Sequence, residues 1–305
     1  MRMKFVISAG IGALVLSTLS LAALAASPLR EAVLRQAAKD AGLVPLTDII
    51  VPQNSELSAI GGKLFESNLL SLNSDTSCQI CHLDEFGSAD GLPNAVGTGG
   101  LGEGPDRMMS AGDIVPRNTL PLWNRGTLGF DTFFWDGKVM SEDGQIISQF
   151  GDKPPSSDPL VVSVHLPFVE IREMVSRTDQ VVSDLEREDV TVAEAVFETL
   201  ASRVREDKEL GVELAKAHRK TRDNIAFQDI ATAIAAFIRD EFVVESTAFH
   251  EFVFSGGELS DEEIAGGLLF YGKGQCSSCH SGPLMSDFDF HVIPLPQAGF
   301  GKNGF

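Results

Sequence analysis

Two pentapeptides, Cys78-Gln79-Ile80-Cys81-His82 and Cys276-Ser277-Ser278-Cys279-His280, use every cysteine in the chain. Each sets two thiols three positions apart and puts a histidine directly after the second. At that spacing both thiols reach the vinyl groups of one porphyrin and form thioethers, while the histidine swings beneath the ring to give its nitrogen to iron. Zinc half-sites, a redox dithiol and structural disulfides are the competing uses of such cysteines. A zinc site does not demand histidine at that position in both copies, and a redox dithiol does not account for two such units. The chain therefore reads as the carrier of two covalently bound haem c groups, which limits it to folds that can enclose a large apolar ring twice.

The start of the chain agrees with that chemistry. Residues 1–26 combine Arg2 and Lys4, an apolar run from Phe5 to Leu24, and the small-x-small signal Ala23-Leu24-Ala25, the form of an export signal removed near Ala25 or Ala26. The run is nearly long enough to span a bilayer, but the small-residue site and the polar Ser27-Pro28-Leu29-Arg30 after it favour cleavage. Since c-type haem is attached outside the cytoplasm, a periplasmic location is expected. The net charge of −19 grows more negative once Arg2 and Lys4 are gone. Such a balance disfavours nucleic acid and anionic lipid and would steer a basic partner. No later segment is apolar for long enough to form a stable membrane span.

A short phrase precedes both motifs: Gly61-Gly62-Lys63-Leu64-Phe65 and Gly266-Gly267-Leu268-Leu269-Phe270. The pairing predicts a mainly α protein of two cytochrome c-like haem domains with long ordered loops. The expected organisation is a signal peptide at 1–26, an N-terminal haem domain at 27–222 and a C-terminal haem domain at 223–305. The second phrase lies on a helix opened by the capping box Ser260-Asp261-Glu262-Glu263 and broken at Gly272 to Gly274. Apolar residues at helical spacing predict further helices over Thr191 to Arg219 and Asn224 to Val244. Between them and the first motif, Asp84 to Arg125 is rich in Gly, Pro and Asn, the texture of an ordered loop wrapped around the first haem. The chain stops soon after His280, at Phe305, so the C-terminal domain is expected to be incomplete.

Three stretches between the motifs carry a family resemblance: Arg117-Asn118-Thr119-Leu120-Pro121-Leu122-Trp123-Asn124, Phe133-Phe134-Trp135-Asp136-Gly137-Lys138 and Arg172-Glu173-Met174. Together, from about Glu56 onward, the chain resembles the bacterial di-haem cytochrome c peroxidase family, which includes MauG. The resemblance implies that the haem on Cys78, Cys81 and His82 is the peroxide-reacting centre. The haem on Cys276, Cys279 and His280 would then be the centre where electrons arrive. It also implies that Trp135 relays electrons between them, that Glu173 is the distal acid–base group, and that Pro167 belongs to the distal pocket. Asn118 matches a ligand of a calcium ion whose other ligands the family draws from beyond residue 305. By residue type alone, Trp135 reads as a core residue and Glu173 as one surface carboxylate among the 43 acidic residues.

The departures matter as much as the matches. Thr98 stands where the peroxidases carry a histidine that caps the first iron, and His82 is the only histidine before His165. A first haem that is five-coordinate or water-bound in the ferric state is therefore expected, with His165 as the rival cap. For the second haem, Met285 is too near His280 to pass round the ring, and His291 matches no ligand segment. Three functions remain open. The first is reduction of hydrogen peroxide to water with electrons from a small cytochrome c or cupredoxin. The second is MauG-like oxidation of aromatic residues in a partner protein, and the third is non-enzymatic electron carriage.

Overall fold

A computed structural model describes residues 28–292; the export signal expected at 1–26 lies outside them. The helices along the described chain are α1 (28–40), α2 (Ser55–Glu66), α3 (Pro159–His165), α4 (Val182–Leu185), α5 (Val190–Glu206), α6 (Leu210–Ala217), α7 (Phe227–Glu241), α8 (Ala248–Phe254) and α9 (Asp261–Tyr271). One small antiparallel sheet, ordered β1-β2-β3, joins β1 (Thr132–Phe133), β2 (Val139–Glu142) and β3 (Gln145–Ser148). The fold is mainly α, and none of the described helices is long and apolar enough to cross a membrane.

The described residues form two compact units, one of Ile49–Val244 with 290–292, the other of 28–48 with Glu245–Asp289. The domain boundary expected at 222/223 falls inside the larger unit, because α7 packs there against α2. Both helices are well started: the Asn54 side chain accepts from Glu56 N at 2.9 Å and Leu57 N at 3.2 Å, and Asp229 accepts from Ala226 N at 2.9 Å. Their axes come close because Gly61 has no side chain; a Cβ there would lie 2.0 Å from the Ala233 carbonyl oxygen. Leu64, Phe65, Ile230 and Ile234 fill the seam between the two helices and are almost fully buried.

The helical stretch expected over Thr191 to Arg219 is two helices. Asp207 ends the first and caps the second by accepting from Glu209 N at 2.9 Å and Leu210 N at 2.8 Å. From Asp84 to Arg125 the chain has neither α-helix nor strand, only the 3-10 turns Asp84–Phe86 and Gly104–Met109. Its order comes from buried side chains acting as internal ties. Arg107, 2% exposed, donates from Nε to Val96 O at 2.7 Å, from Nη1 to Gly102 O at 3.0 Å and from Nη2 to Gly97 O at 2.5 Å. Asp90 accepts from Leu92 N at 3.0 Å and from the Thr119 hydroxyl at 2.9 Å.

In the smaller unit α9 begins with the reciprocal cap that its sequence spells. Ser260 Oγ accepts from Glu263 N at 3.3 Å, and Glu263 accepts from Ser260 N at 2.7 Å. Leu34, Ala38, Phe252 and Ile264 make a separate small core there.

Candidate functional site

The first pentapeptide sits on a tight turn in which Cys81 N and His82 N both donate to the Cys78 carbonyl at 3.1 Å. The turn presents Cys78, Cys81 and His82 to a cavity of about 210 Å³ in the larger unit. Apolar side chains make most of its wall, among them Phe65 from α2, Leu120 and Leu122 from the long loop, Phe133 from β1, Leu160 and Val164 from α3, and Ile234 and Ile238 from α7. The His82 ring lies 5.9 Å from that of Phe65. These walls suit a flat apolar ring.

The donor chemistry also fits haem. Burial pushes both thiols up to about 12, so before they react they are neutral groups at home in an apolar pocket. Burial also pushes His82 down to about 4, against the opposing effect of its hydrogen bond to Ser88. The imidazole is therefore neutral. Its Nδ1 lies 2.8 Å from the Ser88 carbonyl, which assigns the proton to Nδ1 and leaves the Nε2 lone pair for a metal.

Every site residue expected near the first motif lines this cavity: Asn118, Trp135, Pro167 and Glu173 as well as the three attachment residues. Glu173 is carried on a turn in which the Glu170 carbonyl accepts from Glu173 N at 3.3 Å, Met174 N at 3.1 Å and Val175 N at 3.2 Å. The buried Met174 and Val175 anchor it. Arg172, just before Glu173, has φ +81, a left-handed backbone that a non-glycine residue adopts only when its surroundings hold it. Part of that hold is the long loop: Thr98 N donates to Arg172 O at 2.9 Å. Loop and turn come so close that a Cβ on Gly97 would sit 1.8 Å from the same oxygen. Burial pushes the Glu173 carboxyl up to about 8, helped by Glu170 and opposed by Lys138.

Trp135 is 50% exposed, so it is not the plain core residue that its type suggests. Its Nε1 donates to the Asn118 carbonyl at 2.9 Å, and the Asn118 amide donates to Leu92 O. Thr98 does not line the cavity: it is buried and its hydroxyl donates to Asp113 at 3.1 Å. His165 does not line it either. Its ring is 2% exposed, sits among Phe150, Phe197 and Phe227 at 5.2–6.1 Å, and hydrogen-bonds through Nδ1 to Val161 O at 2.7 Å. Among the described residues, His82 is the one histidine on the cavity wall.

Two cavity groups were not singled out from sequence. Lys138 and Glu170 form an ion pair at 2.6 Å, and Arg125, pushed down to about 10 by burial, lies over the Phe130 ring at 5.1 Å. Lys138 ends the quoted Phe133–Lys138 phrase, so that motif could have signalled it. Glu170 and Arg125 have no local pattern that marks them.

The second pentapeptide makes the same turn, with Cys279 N at 3.3 Å and His280 N at 2.9 Å from the Cys276 carbonyl. His280 Nδ1 lies 3.2 Å from Met285 O, so Met285 is engaged on the Nδ1 side of the expected ligand. Cys276 and His280 are exposed.

Comparison with known proteins gives a family and a fold. The family described as di-haem cytochrome c peroxidase matches residues 55–258. A relative called cytochrome-c peroxidase IdrP1, from Pseudomonas sp. (strain SCT), is 26% identical over 267 residues, covering 85% of this chain and 56% of its own. Cytochrome-c peroxidase IdrP2 of Denitromonas iodatirespirans is 22% identical over 246 residues, covering 80% and 52%. The chain thus spans little more than half the length of these relatives. Among solved structures, the diheme peroxidase BthA from Burkholderia thailandensis shares the fold with TM-score 0.56 at 19% identity, over 84% of this chain and 58% of that one. A MauG-like protein associated with microbial copper homeostasis does so with TM-score 0.51 at 20% identity, over 84% and 60%.

Proposed function

We propose, from the premise that this chain belongs to the di-haem cytochrome c peroxidase family, that it is the peroxide-handling portion of an exported di-haem enzyme. That enzyme reduces hydrogen peroxide to water with electrons passed between two c-type haems. The observation that carries this reading is the convergence of Cys78, Cys81, His82, Trp135, Pro167 and Glu173 on one apolar cavity. Haem held there by the two thiols and His82 would supply an iron that takes peroxide and accepts electrons.

The chain's own residues supply the rest. A carboxyl whose ordinary value of 4.5 is raised to about 8 can both accept and return a proton near neutral pH. Glu173 takes the proton from one peroxide oxygen and delivers it to the other as the O–O bond breaks. Peroxide, two protons and two electrons become two waters. Pro167 and the apolar wall limit water around that transfer. Trp135, fixed by its bond to Asn118 and half-exposed, offers the aromatic relay for electrons. They would come from a small cytochrome c or cupredoxin, which the acidic chain would attract if basic. For calcium, Asn118 is the proposed ligand: its amide N–H is taken by Leu92 O, which leaves Oδ1 for a hard cation. Export and a periplasmic site rest on the signal at 1–26.

A second reading is favoured by Thr98 and His165, whose side chains are engaged away from the cavity. A first haem with no histidine cap would meet peroxide without prior reduction, as MauG-like oxidation of a partner protein's aromatic residues requires. The test is an optical titration of the full-length ferric protein with one equivalent of hydrogen peroxide and no reductant. An immediate, persistent spectral change supports the uncapped, MauG-like site. A response only after one haem is reduced supports the peroxidase cycle, and no response in either state means a non-enzymatic electron carrier.

A further inference from the structure

The larger unit holds a second cavity of about 270 Å³, whose wall includes Gln149, Phe150, Leu166, Leu185, Glu188 and Ala193. Lys138 and Glu170 line both this cavity and the one that contains Glu173. Their Nζ–Oε2 contact of 2.6 Å is therefore a wall common to the two spaces. Glu170 is also the residue whose carbonyl gathers the N–H groups of Glu173, Met174 and Val175, so the wall and the acid–base turn are one piece of structure.

A wall made of this pair differs from an apolar seal. Lys138 and Glu170 side chains are 21% and 37% exposed, and the ammonium is carried on a flexible four-carbon stem that can swing aside. On the outer side, Gln149 is exposed and donates to Glu188 at 3.2 Å. The second cavity carries Glu170, Glu186, Glu188 and Asp189 against the single ammonium of Lys138, so the path opposes anions and passes neutral molecules.

We propose that the Lys138–Glu170 pair is a door between the two cavities, and that small neutral molecules the size of peroxide reach Glu173 through it. Lys138 and Glu170 are on this account positioning and access residues, not proton-transfer groups. The proposal rests on the reading of the Glu173 cavity as the peroxide site.

The test is the association rate of cyanide, added at neutral pH where it is mostly HCN, with the full-length di-haem protein. The rate is measured by stopped flow in whichever oxidation state binds it. Gln149→Trp narrows the outer mouth and should slow association at least ten-fold with the haem spectrum unchanged. Lys138→Met removes the bar and should speed it several-fold, and Lys138→Arg should return it to within about two-fold of the parent. Association at the parent rate in Gln149→Trp overturns the proposal. If that variant fails to take up haem, Lys138→Met decides, and an unchanged rate there overturns it equally. Cyanide binding that requires prior reduction would break the uncapped-haem reading instead, while the ranking of the variants would still judge the door.

Discussion

The same words occur twice in this chain and meet opposite surroundings. On α2 the phrase Gly61-Gly62-Lys63-Leu64-Phe65 is core, with Leu64 at 0% and Phe65 at 1% exposure; on α9 its counterpart leaves Leu269 55% exposed. A Cβ on Gly61 would strike the Ala233 carbonyl, whereas one on Gly266 meets nothing within 4 Å. Yet the two pentapeptides that follow fold alike: each turns back onto the carbonyl of its first cysteine, and each histidine sets Nδ1 against a backbone carbonyl a few residues on. The five residues and their immediate sequel thus encode the turn and the histidine tautomer by themselves. What distinguishes the first site is encoded elsewhere, by α3, α7 and the turn carrying Glu173, which give it an apolar wall and a buried carboxyl.

The largest effect that would break this contrast is expected at Glu173. Gln keeps the shape but cannot shuttle a proton, so Glu173→Gln should lower kcat/KM for peroxide by about 10²–10⁴-fold and leave both haem spectra in place. The sign of the pH dependence follows from the raised carboxyl. Glu173 is protonated below about 8, so its base form grows with pH and the rate of peroxide use should climb from pH 5 toward 8. That limb should vanish in the Gln variant. A flat parent profile, or a loss under ten-fold, would put the acid–base group somewhere other than Glu173.

Next in size is the helix crossing at the wall of the first cavity. Gly61→Ala forces α2 off α7, and overpacking of this kind costs about 1–3 kcal/mol. A fall in the urea midpoint of the larger unit, with slower haem uptake at Cys78 and Cys81, is the expected readout. A variant as stable as the parent would mean that α2 and α7 can separate without penalty, and the contrast between the two phrases would lose its physical basis.

How much of this was legible follows the same division. That Cys78, Cys81 and His82 act together was legible because all three fall within one five-residue turn. The α9 start was legible because Ser260 and Glu263 satisfy each other within one turn. The loop over Asp84 to Arg125 could be read as a loop, but Arg107, whose three carbonyl partners make it rigid, carries no local mark. The Lys138–Glu170 pair was invisible since 32 positions separate its members and no periodicity joins them. The fit of Ala233 onto Gly61, which holds α7 against α2, joins positions far apart in sequence and carries no local mark. The β2–β3 hairpin was passed over although Asp143-Gly144, at φ +50 and +78, spells its two-residue turn; its strands are short and half-exposed, so alternation is faint.

The smallest effects test the second phrase. Ser260→Ala removes one half of the α9 cap and should cost about 1 kcal/mol, read as roughly five-fold faster amide exchange along α9 with α2 unchanged. Gly266→Ala should act the other way. Its position is a helix interior with open space around the added methyl, and alanine there restricts the unfolded chain more than glycine does. A gain of about 0.4–1 kcal/mol is expected, seen as slower exchange in α9 by about two- to five-fold. The informative comparison is with Gly61→Ala, the same change in the same phrase with the opposite sign. If Gly266→Ala instead destabilises α9 in the full-length protein, then that glycine is covered there, as Gly61 is by α7. The two pentapeptides would then share not only their turn but a close helix contact at the phrase before it.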